Sequence, residues 1–217
     1  GLISATWDAH APPLHEWLGD MKWYLDIIFA RTGEIEVVGV PQIWDVECAW
    51  KFATDNFTDN FHVFWAHQSL VHLGLLPNFV DFAAHGHMIT CSNGHILHFV
   101  QGAPNDHAKG LGLPKVLWPR FKENLDPAQA DIAMKHGYSA GTVWPNFHWL
   151  QLTSAADTES TAVGILNIRM EVPLSPTRTR MYSWFAIDRG APTEYRKQSY
   201  ESYVRNFGPS GIFDQDD

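Results

Sequence analysis

Cysteine is scarce in this chain: only Cys48 and Cys91 occur in 217 residues. Two thiols cannot form a disulfide framework, and reduced thiols in a cytoplasmic protein are their simplest reading. No apolar run reaches the roughly 18 residues of a membrane span, and no stretch has the pattern of a signal peptide. A membrane partner is therefore not expected. Lys and Arg total 15 against 24 Asp and Glu, a net charge of −9. Without a dense basic cluster the chain has no footprint for nucleic-acid phosphates. There is no His-Glu-x-x-His, which argues against a zinc protease, and no Gly-x-Gly-x-x-Gly, which argues against a dinucleotide-binding loop. No His-x-Asp or His-x-Glu occurs either, which argues against the 2-oxoglutarate-dependent iron enzymes. No internal repeat is visible.

Aromatic residues are plentiful. Ten Trp and thirteen Phe suit a large core or a cavity for flat, apolar ligands. Residues 14–31 carry apolar side chains at helical spacing. Glu34 to Val46 alternates around Gly39 and Pro41, which predicts two short strands joined by a turn. Residues 48–75 read as helical and 77–84 as loop. Met88–Thr90 and Ile96–Val100 flank Ser92-Asn93-Gly94, a hairpin signal. Residues 101–115 read as loop, and Lys115–Glu123 and Pro127–His136 as helices. Asp126-Pro127 supplies an N-cap followed by Pro at the first helical position. Thr142–Leu152, Ala162–Val172 and Thr179–Ile187 read as strands, and Pro192–Asn206 as an amphipathic helix. Helices in blocks around antiparallel strands, without strict alternation, indicate an α+β fold, expected as one domain over residues 1–217.

The chemistry concentrates in Asp55-Asn-Phe-Thr-Asp59-Asn-Phe-His62-Val-Phe-Trp-Ala-His67. Two imidazoles with one distant carboxylate form the ligand set of an open non-haem Fe(II) site. Candidate acids end the chain, in Phe207-Gly-Pro-Ser-Gly211-Ile-Phe213-Asp-Gln-Asp216-Asp217. His62 and His67 would lie about 140° apart around an ideal helix. A break or bulge between them is therefore expected if they share a metal, and π-bulges favour such sites. Asp59, three residues before His62, can share its face, accept its free ring N–H and fix its tautomer. Gly208, Pro209 and Gly211 suit a tight turn aiming the terminal segment.

Ala49-Trp50-Lys51, Asp55-Asn56, Asp59-x-x-His62-x4-His67 and the Phe207–Asp217 stretch, in this order, resemble the catalytic domain of the Rieske-type aromatic-ring-hydroxylating oxygenase alpha subunits. The opening Gly1-Leu-Ile-Ser-Ala-Thr-Trp-Asp also looks like the point where that family's Rieske domain hands over to its catalytic domain. The resemblance implies an antiparallel sheet wrapped by helices, of helix-grip type, with a mononuclear Fe(II) between them. It implies His62, His67 and Asp217 as ligands, with Asp214 and Asp216 close enough to compete. It gives Asp59 a role in passing electrons from a neighbouring subunit's cluster. It makes Phe57, Val63, Leu150, Phe207 and Phe213 substrate-lining, with Tyr138 and Ala140. The implied reaction adds O2 to an aromatic ring to give a cis-dihydrodiol, with electrons from NAD(P)H through a reductase and ferredoxin. The implied assembly is a trimer of alpha subunits, with or without beta subunits.

Departures are visible. Phe61 stands where the family has Tyr, Ala49 where it has Asn, and Asp55 where it has Glu. The interval from Asn56 to His62 is one residue short. A Rieske [2Fe–2S] cluster needs two Cys and two His, usually as Cys-x-His and Cys-x-x-His, and neither spacing occurs. The sequence is accordingly expected to be part of a longer protein that carries the cluster. Rival motifs are weaker. His85-Gly-His87 lacks a well-spaced acid. Gly137-Tyr-Ser139-Ala-Gly141 matches a hydrolase nucleophile elbow in letters, but a predicted helix before it and a strand after it reverse the required context, leaving a turn. The alternatives to the dioxygenase are an O-demethylase or other monooxygenase of the same superfamily, and a non-catalytic module for apolar ligands.

Overall fold

A computed structural model describes residues 3–59, 61–74, 86–101 and 109–217. Its frame is a seven-stranded sheet in the order β1-β7-β6-β5-β4-β3-β2. The strands are β1 Ile35–Val46, β2 Gly86–Thr90, β3 Ile96–Gln101, β4 His136–Val143, β5 Phe147–Ser154, β6 Val163–Ser175 and β7 Arg178–Asp188. Every neighbouring pair is antiparallel. Strands β2 to β7 form a meander, and β1 closes on β7. The helices are α1 Leu14–Leu18, α2 Met21–Phe29, α3 Trp50–Asn56, α4 Val63–Ala66, α5 Gln68–His72, α6 Pro119–Asn124, α7 Pro127–Lys135, α8 Thr193–Asn206 and α9 Ile212–Asp216. The α+β class and the antiparallel sheet are as expected.

Several boundaries differ from the sequence reading. The stretch 14–31 splits at Gly19, whose φ of 51° ends α1. Residues 35–46 form one strand with a register shift between Val38 and Gln42. Gly39, at φ 74°, is absorbed as a bulge in a continuing strand, so no turn separates two strands. The stretch Thr142–Leu152 is two strands, because β4 begins at His136 and turns over between Val143 and Phe147. Gly137–Gly141 therefore lies within β4, neither turn nor elbow. Ser139 is fully buried there and accepts a hydrogen bond from Trp149 Nε1 at 3.2 Å. The expected loop at 77–84 lies outside the described residues. The α7 cap is as read: the Asp126 carboxylate accepts from Ala128 and Gln129 N–H, and the Gln129 side chain accepts from Asp126 N–H.

Alternation of side chains assigns each sheet face a task. Phe99 and Trp149 point to one face, where α2 packs, with Tyr24 and Phe29 against their rings. The opposite face carries His98, Ala140, Thr142, His148, Leu150, Asn167, Arg169 and Ser183, paired across the strands. Helix α8 covers part of this face. Its Tyr203 hydroxyl donates to Ser183 O at 3.1 Å, and Ser199 Oγ donates to Gly164 O at 2.6 Å.

Candidate metal centre

Helix α3 delivers Asn56 and Phe57 onto the second face. Phe57 is buried and stacks on the His148 ring at 4.8 Å and 23°. His148 is pinned beneath it, with Nδ1 2.8 Å from Thr142 Oγ1 and Nε2 against the Glu171 carboxylate, both partners fully buried. After α3 the chain turns. Asp59 Oδ1 accepts Phe61 N–H at 2.6 Å, an Asx-type closure that hands the backbone to His62.

His62 caps α4, and His67 ends it while starting α5. His67 sits at φ −101°, ψ 21°, off the helical values, so the helix breaks there. The expected irregularity is thus a break between two short helices and no π-bulge. The break lets both rings face one place, with centroids 5.5 Å apart at 78°.

The terminal segment reaches the same place. Helix α8 ends at Asn206, and Gly208 turns the chain at φ +97°. A Cβ on Gly208 would strike the Gln42 side chain. The Asp214 carboxylate accepts from Gly208 N–H and from Arg169 Nη2, locking α9 onto β6. Burial raises the Asp214 pKa, although Arg169 pulls against that rise. Burial likewise works against the Arg169 cation, and Asp214 more than offsets it, so the Arg169 pKa ends raised. Asp216 turns to α5, where Ser69 Oγ donates to Oδ2 at 2.7 Å. Asp217 turns inward. Its Oδ1 lies 3.1 Å from His67 Nε2 and 3.8 Å from His62 Nε2, and Asn56 Nδ2 donates to its Oδ2 at 3.0 Å.

Ligand atoms of His62, His67 and Asp217 all lie within 4.8 Å of one another, the one such group of three found among the described residues. Two atoms each about 2.1 Å from one ion stand roughly 3.0 Å apart at a right angle, so the donor set fits a first-row metal. His67 is 2% exposed, while the His62 and Asp217 side chains are 23% and 22% exposed. Desolvation lowers the His62 pKa, which favours the neutral, metal-ready imidazole, and Asp217 only partly opposes it. For Asp217, burial alone would raise the pKa. The hydrogen bond from His67 and the two imidazoles outweigh it and hold the carboxylate below its usual range.

The other sequence candidates are placed as follows. Asp59 stands beside the site at the surface, its Oδ2 3.8 Å from His62 Nδ1, too long for the direct hydrogen bond expected of it. Phe213 tilts on the His67 ring at 4.5 Å and stacks on Phe207 at 5.3 Å. Val63 is buried beside His62. Tyr138, Ala140 and Leu150 lie on the same face of β4 and β5 as Thr142 and His148, and Tyr138 and Leu150 keep partial exposure in the middle of the sheet. Of the rival His-x-His, His85 lies outside the described residues and His87 is exposed on β2.

The sequence reading passed over Arg169, Glu171, His148 and His98. A signal existed for two of them. Asn167, Arg169 and Glu171 recur at period two in the otherwise apolar β6, which marks a polar stripe on one face.

Residues 14–217 match the family model described as "Ring hydroxylating alpha subunit (catalytic domain)". The whole chain aligns at 31% identity with the biphenyl 2,3-dioxygenase subunit alpha of Rhodococcus jostii, covering 47% of it. It aligns at 28% with the N,N-dimethyl phenylurea N-demethylase subunit alpha of a Sphingobium species, covering 49%. The crystal structure of naphthalene 1,2-dioxygenase from Rhodococcus sp. bound to indole superimposes with a TM-score of 0.91 at 36% identity, over 96% of this chain and 48% of that one. The chain spans about half the length of the curated relatives it matches.

Proposed function

The chain belongs to the catalytic-domain family of ring-hydroxylating alpha subunits, and from that premise we propose that it is the oxygen-activating part of a Rieske non-haem iron dioxygenase. The observation that carries this reading is the convergence on one partly buried point of Asp217 with His62 and His67, which lie some 150 residues earlier in the chain. In this proposal the two neutral imidazoles and the Asp217 carboxylate hold Fe(II) from one side. When bound there, Fe(II) supplies the open coordination positions at which O2 is activated. The protein's own groups do the rest. Asn56 holds the second Asp217 oxygen, so one oxygen faces the metal. The Arg169–Asp214 pair keeps α9 seated. Phe57, Val63, Leu150, Phe207 and Phe213, with Tyr138 and Ala140, orient a flat apolar ring beside the metal and exclude water.

The proposed reaction places both atoms of O2 on adjacent carbons of an aromatic ring, giving a cis-dihydrodiol. Electrons would come from NAD(P)H through a reductase and ferredoxin to a [2Fe–2S] Rieske cluster carried outside this chain. Asp59, 46% exposed, would accept the docking of a neighbouring alpha subunit in a trimer, with or without beta subunits, and relay the electron toward His62. The proposed setting is the cytoplasm; no helix among the described residues is long and apolar enough to cross a membrane.

The likeness to the N-demethylase alpha subunit favours one second reading, a monooxygenase that removes a methyl group. Product analysis under ¹⁸O2, with the full-length protein and its electron donors, separates the two. A dihydrodiol carrying two labels supports the dioxygenase. A dealkylated or singly hydroxylated product supports the monooxygenase, and no oxygenated product from any aromatic substrate would contradict both.

A further inference from the structure

One buried side chain on the metal-site face has no task in the scheme above. His98 lies in the middle of β3 and is 2% exposed. Neither of its ring nitrogens has a hydrogen-bond partner among the described residues. A neutral imidazole always carries one N–H donor and one bare nitrogen acceptor, and no described residue meets either function. Buried polar groups are almost always paired, and an idle pair is a cost to the fold. Burial also pushes the His98 pKa down to about 3, so the ring stays neutral at ordinary pH.

Its position gives the reason. His98 pairs across the sheet with Ala140, and Ala140 with Leu150, placing all three in one lateral row on one face. Tyr138, one position along the same face, meets the His98 ring edge-on at 5.5 Å. His98 shares this face with His148, which Phe57 covers from the α3 side. The row is otherwise apolar at Ala140 and Leu150, and Leu150 keeps partial exposure. The row runs on from Leu150 to Asn167, so a flat ring lying over Ala140 and Leu150 would meet hydrocarbon at its centre and His98 at one end.

We infer that His98 is a specificity-determining residue of the substrate face, hydrogen-bonding a polar substituent or ring N–H of the aromatic substrate. The inference rests on the oxygenase reading above and narrows it. The substrate class it fits is a hydroxylated or nitrogen-containing aromatic, rather than a plain hydrocarbon. The bound group would satisfy an imidazole that no described residue satisfies.

The test compares 2-naphthol with naphthalene, two probes of nearly equal shape that differ by one hydroxyl. Their binding to the Fe(II)-loaded full-length protein is followed anaerobically by tryptophan fluorescence. His98→Leu is expected to weaken 2-naphthol by about five- to tenfold, the worth of one buried hydrogen bond, and to leave naphthalene within about twofold. His98→Gln, which keeps a donor and an acceptor, is expected to restore part of the loss. Equal effects on both probes, or none on either, would overturn the inference. Stability gives a second reading: removing an idle polar group should raise the urea midpoint of His98→Leu, whereas a lowered midpoint would reveal a structural partner and also overturn it. Fe(II) stoichiometry is read in parallel. If the parent binds no Fe(II), the oxygenase reading falls, while the comparison of probes on the metal-free protein still decides the role of His98.

Discussion

At the scale of single residues the site depends on three donors and on the groups that hold them in place. Replacing His67 by Ala removes the most buried donor, and Asp217→Ala removes the one carboxylate among the described residues that faces both imidazoles. Each substitution is expected to weaken Fe(II) binding by at least about 100-fold, as a lost ligand should exceed the 10- to 100-fold typical of a lost outer partner; competition with a calibrated chelator measures it. Asn56→Ala, which strips only the hydrogen bond to Asp217 Oδ2, should fall within about 10- to 100-fold. His98 gives a pH prediction. Its folded pKa of about 3 lies far below the roughly 6.5 of an unfolded histidine. Between those values the unfolded chain binds a proton that the native ring refuses, so stability is lost as pH falls through that window. The slope is at most about 1.4 kcal/mol per pH unit from this group. His98→Leu abolishes it, so the stability difference between variant and parent should widen as urea melts move from about pH 7 to about pH 5. A constant difference would mean that the ring is not held neutral.

At the scale of elements, two short pieces, α4–α5 and α9, must be aimed from opposite ends of the chain. Strand β6 aims α9 through the Arg169–Asp214 pair, both side chains nearly fully buried. Removing one partner leaves an uncompensated buried charge, so Asp214→Ala should cost about 3–5 kcal/mol in urea melts and weaken Fe(II) binding as well. The double replacement Arg169→Met with Asp214→Leu should recover most of the stability without restoring the metal site. Gly208→Ala should cost about 1–3 kcal/mol, since φ +97° disfavours a side chain and the Gln42 side chain fills the space. Much of this layer was legible in the sequence. The Asp126 cap, the Ser92-Asn93-Gly94 hairpin, the strands at 163–175 and 178–188 and the helix at 193–206 follow local rules of turn chemistry and periodicity. The break at His67 followed from the 140° that an unbroken helix would impose. The failures were also physical. Gly39 bulges a strand instead of ending it, and Gly137 to Gly141 reads as punctuation although Gly141 exists so that Trp149 can lie against the backbone. Turn letters inside a sheet centre answer to packing from far away in sequence, which local rules cannot see. His148, Glu171 and Arg169 have partners that only the fold supplies: strand pairing brings Thr142 and Glu171 to His148, and α9 brings Asp214 to Arg169.

At the scale of the whole molecule the sheet works as a platform with two differently used faces. One face takes α2 and builds core; the other takes α8, α3 and the terminal helix and leaves room for chemistry. Binding at the second face should feed back on the fold. A metal that binds only the folded state at about 100 times its dissociation constant adds roughly 2.7 kcal/mol, or about 5–10 °C in melting temperature for a chain of this size. Fe(II) should raise the melting temperature of the parent by that amount and leave His67→Ala unmoved. The central claim, that His62, His67 and Asp217 together hold one iron, is tested most directly by crystals grown with Fe(II) and measured on both sides of the iron absorption edge. The account predicts one anomalous peak about 2.0–2.3 Å from a ring nitrogen of His62, a ring nitrogen of His67 and a carboxylate oxygen of Asp217, by analogy with other first-row metal bonds. A peak held by other residues, or no peak at these three in iron-replete protein, would contradict it.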